Sequence, residues 1–188
     1  MSRLTRHPRR TLATLATVLA AVGVTVASGA DFTATSANPA NTFATGSLSM
    51  SNGAANAAIL TAANMRPGDP ATDSTVDIAN TGSLSGAFTL TRGTPADSDT
   101  ANPLSGKLDV IVDDCGVFTG ATAPACGDAD DVNKYTGTLA AMGSSPRALG
   151  TYNGGVKHRY RFRVSLDSTA DNNYQGDNTS VAFTWNAA

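Results

Sequence analysis

Apolar and polar positions alternate along residues 41–188 in short runs, and Gly, Asn, Asp, Thr and Ser break the runs at intervals of about 8–15 residues. The clearest run is KHRYRFRVSLD (157–167), which sets His158, Tyr160, Phe162, Val164 and Leu166 on one face and Lys157, Arg159, Arg161, Arg163 and Ser165 on the other. KLDVIVDD (107–114) turns Leu108, Val110 and Val112 inward and Asp109, Ile111 and Asp113 outward. SVAFTW (180–185) directs Val181, Phe183 and Trp185 to a core, STVDIANTG (74–82) does so with Val76 and Ile78, and GAFTLTR (86–92) with Phe88 and Leu90. FATGSLSM (43–50) offers Phe43, Leu48 and Met50 around a glycine that marks a bulge, and KYTGTLAAM (134–142) is a weaker strand. The one segment with a helical option is NAAILTAAN (56–64). RPGDPATD (66–73) is a turn cluster, and 93–103 is a polar loop. About seven or eight short strands, each with one buried face, predict an all-β fold: a two-sheet antiparallel sandwich of jelly-roll type.

Ahead of this pattern stands an export signal. Arg3, Arg6, Arg9 and Arg10 precede an apolar run from Leu12 to Val26, and Ser28 and Ala30 occupy the −3 and −1 positions of a cut between Ala30 and Asp31. A cut after Ala27 satisfies the same rule. As a membrane span the run is short and broken by Thr14, Thr17, Gly23 and Thr25, and no Cys follows it to carry a lipid. The expected organisation is a signal peptide over 1–30, an extension over 31–40 and a sandwich over 41–188. The mature chain is then secreted to the extracellular matrix or cell surface without a transmembrane anchor.

Charge removes one class of partner. Residues 31–188 carry three Lys and six Arg against fifteen Asp, a net charge of −6. Nucleic acid as main partner is disfavoured, because phosphate contacts require local positive charge. Cys115 and Cys126 flank a Gly/Ala/Thr loop in an exported chain and are expected to form a disulfide. Closing such a loop stabilises by about 3 kcal/mol on the chain-entropy account.

Catalytic inventories fall short. The chain has no Glu, and residues 31–188 hold a single His, so the paired His and Glu of a zincin are missing. A glycosidase would need a carboxylate pair, but Asp is the sole acidic residue type and mostly serves loops. His158 faces inward with no nucleophile motif beside it, since GSLSG (82–86) places Leu84 where an elbow requires Ser. DADDVN (128–133) sets Asp128 and Asp130 at calcium-loop spacing, with Asp113 and Asp114 across the disulfide loop. Val132 takes the next ligand position, which favours a solvated acidic loop. The Arg159/Arg161/Arg163 stripe is expected to pair across strands with carboxylates such as Asp109 or Asp113. No cofactor or metal is expected, and the reading is non-enzymatic.

Four segments in order, NTFATGSLSM (41–50), AANMRPGD (62–69), IANTGSLSGAFTL (78–90) and NNYQGDNTSVAFTW (172–185), resemble the TasA/camelysin family of exported biofilm-matrix fibre proteins. The resemblance implies a jelly-roll subunit, released by a dedicated signal peptidase, in which the mature N-terminal segment of one copy completes the sheet of the next. Two features depart from that pattern: the Cys115/Cys126 pair, and a mature chain compact beside the longer matrix members. The camelysin branch carries a protease label for which no ligand set is recognisable in this chain. Asp31, Phe32, Thr33, Ala34, Thr35 and Ser36 alternate in a way that suits a donated strand, with Phe32 its large apolar residue and Asn38-Pro39 ending it. The expected partner is therefore a second copy, in a homopolymer that other matrix or cell-surface components can join. The alternative is a monomeric adhesion or binding module with an idle tail; a camelysin-like secreted protease ranks below it.

Overall fold

A computed structural model describes residues 46–127 and 129–188. The Ala30–Asp31 cut, the candidate donor residues Asp31 to Ser36, Phe43 and Asp128 lie outside the described residues. Within them the alternating runs become strands β1 (Met50–Asn52), β2 (Thr72–Asn80), β3 (Gly86–Arg92), β4 (Ala96–Asp97) and β5 (Leu108–Phe118). Then follow β6 (Val132–Thr138), β7 (Arg147–Tyr152), β8 (Lys157–Leu166), β9 (Thr179–Ser180) and β10 (Phe183–Ala187), with single 3-10 turns at Leu104–Gly106 and Asn172–Tyr174.

All pairings are antiparallel. A five-stranded sheet runs β1-β2-β8-β5-β6, a three-stranded sheet runs β10-β3-β7, and β4 pairs with β9. The larger sheet contributes Val76, Ile78, Val110, Val112, Tyr160 and Phe162 to one buried cluster. The smaller sheet meets them with Phe88, Leu90, Leu149, Tyr152 and Trp185. Each such side chain stabilises by roughly 1.5–3 kcal/mol relative to exposure. The fold is an all-β antiparallel sandwich, as the alternation predicts.

The differences from the expected strand list have local causes. β7 escapes the pattern because Gly150, at φ +132°, sits in a bulge opposite the Phe88/Thr89 step, so Leu149 and Tyr152 both face inward three residues apart. Residues 56–64 form no helix; Asn56 and Asn64 take left-handed φ values of 60° and 55°, and the chain between them is irregular. Of the described residues of FATGSLSM, 46–49 form no strand and Met50 starts β1, with Leu48 exposed at the surface. Its residues 46–49 instead cross the 81–84 turn, where Ser47 O lies 2.2 Å from the place a Cβ on Gly82 would take, so only glycine fits. The loop 93–103 holds the two-residue β4, and SVAFTW breaks so that β10 starts at Phe183.

Candidate functional site

On the outer face of the large sheet the arginine stripe of β8 is held by carboxylates from both neighbours. Arg159 donates from Nε and Nη2 to the two oxygens of Asp77 on β2, at 2.7 and 3.0 Å. Those bonds raise the Arg159 pKa further. Arg163 donates to Asp113 at 2.7 Å, and Arg161 lies 3.4 Å from Asp113 and 3.3 Å from Asp131. Burial works against the Asp113 charge, yet hydrogen bonds from Asn133, Arg163 and Arg161 hold its pKa below the ordinary carboxylate value. Asp113 therefore pairs with the stripe as expected, whereas Asp109 stands opposite Ser165. Asp77 is the partner the alternation left unidentified.

Asp114, one residue on, faces the other way. It stands opposite Tyr160 and accepts from His158 Nδ1 at 3.0 Å, with Lys134 Nζ 3.6 Å away. Burial pushes against its charge, and the His158 hydrogen bond and charge, the Gly116 amide and Lys134 together hold its pKa low. The His158 ring stacks on Tyr152 with centroids 4.1 Å apart, and Tyr152 stacks on Phe88 at 4.1 Å, which carries the contact from one sheet to the other. The Tyr152 and Tyr160 hydroxyls meet beside Asp114, and burial drives both phenol pKa values upward. Asp–His is the orienting half of a nucleophilic triad, but among the described residues no Ser or Cys side chain hydrogen-bonds to His158. The arrangement ties the two sheets together.

Cys115 and Cys126 are disulfide-bonded, closing the loop that opens at the β5 bulge after Asp114. Beyond it Asp131 accepts from the Gly127 amide at 2.6 Å and from Arg161. Asp113 and Asp114 thus point to opposite faces, each already engaged by cations, and do not converge with Asp130 on one point. Among the described residues no group of three or more His, Cys or Asp side chains is placed to hold a metal ion.

The opposite end of the sandwich is built differently. There the large sheet outruns the small one and leaves a cleft of roughly 960 Å³ between them. Its floor is Leu108 and Val110 of β5 with Phe162, Val164 and Leu166 of β8. One rim carries Val181 and Phe183 at the start of β10; the other carries Ile59 and Met65 from the irregular segment between β1 and β2. Among the described residues β10 pairs with β3 alone, so its other edge has no described partner, and its first residue, Phe183, borders this apolar floor. Free edge and apolar floor are the two elements that strand addition requires.

No protein-family model matches the chain, and no curated protein matches it. Of the residues singled out in the sequence, Cys115 and Cys126 come together, His158 joins Asp114, and the arginine stripe joins Asp113. The cleft was missed. Its floor residues read correctly as inward-facing, but period-two alternation tells which face a residue takes and not how far the opposing sheet extends over it.

Proposed function

We propose that this chain is a secreted, non-enzymatic subunit of an extracellular fibre that polymerises head-to-tail, residues 31–36 of one copy adding to the sandwich of the next. The observation that carries the reading is the cleft: an edge strand with no second partner among the described residues, its first residue above an apolar floor, at the end of the sandwich where the small sheet stops. In the jelly-roll reading the donated strand lies beside β10 and extends the three-stranded sheet over that floor. The resemblance to the TasA/camelysin fibre proteins supports the same assignment. Backbone pairing supplies about 1 kcal/mol per hydrogen bond, and Phe32 adds roughly 2–3 kcal/mol by leaving water for the cleft. Because donor and acceptor are different surfaces, the contact repeats into a filament instead of closing a dimer.

Electron microscopy and sedimentation of residues 31–188, beside a chain starting at Asn41, test the proposal. Filaments from the first and monomers from the second are expected. Phe32→Ala is expected to reduce filament yield while leaving the thermal transition in place, since that residue lies outside the sandwich. Monomers from both chains across pH and salt would favour the surface adhesion module instead.

A further inference from the structure

The segment from residue 53 to 71, between β1 and β2, contains neither strand nor helix. Structureless connections of this length are uncommon in compact domains and are often lids or binding loops. Its two ends are tied: Gly53 donates to Asp77 O, Ala57 to Ala54 O, and Gly68 to Leu166 O at 3.3 Å. Asp69 closes a turn on Arg66. Between these ties, from Ala58 to Met65, no main-chain group hydrogen-bonds to another described residue. Among the described residues, the half-buried side chains of Ile59 and Met65 pack this stretch against the core at the cleft, with Leu60 half-buried beside them. Asn56 and Asn64 bracket it in left-handed conformations, local bends at which the chain can swing out.

We propose that residues 57–65 are a displaceable strap: Ile59 and Met65 cover the acceptor cleft in the free subunit and give way when the strand of a second copy arrives. The inference rests on the fibre reading above and adds a regulatory step to it. Among the described residues, lifting the strap breaks only the Ala57 to Ala54 turn bond, so opening costs mainly the partial burial of Ile59, Leu60 and Met65. The incoming strand replaces that burial and adds pairing to β10. A strap of this kind lowers the exposure of a sticky edge before assembly, which protects a secreted subunit from unspecific association.

Loosening the strap tests it. Ile59→Ser with Met65→Ser weakens the two side-chain contacts that seat the strap in the free subunit and leaves β10 and the floor untouched. With residues 31–188 otherwise intact, the double variant is expected to form filaments after a lag several-fold shorter than that of the wild type, at about the same final yield. A lag equal to or longer than the wild type's would overturn the strap. Hydrogen exchange on the free subunit gives an independent reading: amides of 58–65 are expected to exchange far faster than those of β8, and when the 31–40 peptide is added in excess the amides of β10 are expected to slow while those of 58–65 stay fast. Protection of 58–65 equal to that of β8 in the free subunit would overturn the strap whether or not filaments form. Absence of filaments from the wild type would instead sink the fibre reading, leaving the exchange result to decide whether the strap opens.

Discussion

The β5–β8 pair has two ends that solve the same problem in opposite ways. At the Asp114 and Tyr160 end Asp114, His158 and the Tyr152 and Tyr160 hydroxyls are hydrogen-bonded to one another, rings stack from sheet to sheet, and a disulfide closes the loop beyond. At the Leu108 and Leu166 end the inner face is apolar, the opposing sheet stops short, and residues 58–65, which make no main-chain hydrogen bond to another described residue, line the rim. Stability is concentrated where the sheets are tied, and the proposed acceptor site lies where they are not. Local stability varies across folded domains in this manner, and binding elements are drawn from its low end.

The sharpest way to break this comparison is to attack the tied end. Asp114→Ala leaves His158 and Lys134 facing each other without their carboxylate, and the loss of one member of a buried pair costs about 3–5 kcal/mol. Chemical denaturation is expected to show that loss; a change as small as that of a surface substitution would mean that water already screens the cluster. The same carboxylate, with Asp113, sets the acid limit. Both have folded pKa values below the ordinary 3.8, so their stabilisation is present above that value and fades as pH falls through the lower folded values. Asp114→Asn is expected to flatten the acid limb of a stability-against-pH profile.

The disulfide ranks next. Replacing Cys115 and Cys126 with Ser frees a loop of sequence separation 11 and is expected to cost about 3 kcal/mol. Filament yield, measured where the variant remains folded, is expected to stay at the wild-type level, because the bridge lies at the other end of β5 from the cleft. Equal melting with and without the bridge would show that the bulge after Asp114 holds the loop unaided.

How much of this was legible in the chain follows from which interactions are local. Alternation set the faces of β2, β3, β5, β8 and β10, since one buried face per strand is a property of the strand itself. It gave Arg159, Arg161 and Arg163 an outward face but not Asp77 as a partner, because register is fixed between strands 82 residues apart in the chain. Asp114 falls on the inward face of Leu108, Val110 and Val112 by the same period of two, but its partner His158 lies on another strand, and only the pairing of β5 with β8 brings the two together. The apolar NAAILTAAN carries helical composition, yet its Ile59 and Met65 just beyond it find their burial against the open sheet end, and tertiary contact overrides propensity.

The smallest expected effect on stability sharpens the comparison most. Val181 is half-buried on the rim of the cleft, just ahead of β10, and makes no part of the tied end. Val181→Ser removes a side chain that is already partly in water, so a cost of about 1 kcal/mol or less is expected on denaturation. If the two ends divide their labour as argued, the same substitution lowers filament yield far more than Cys115→Ser with Cys126→Ser does, although it destabilises the fold less. Sedimentation of both variants side by side reads the ratio directly. A variant whose assembly falls only in proportion to its stability would mean that the cleft is packing imperfection and not a seat for a second chain.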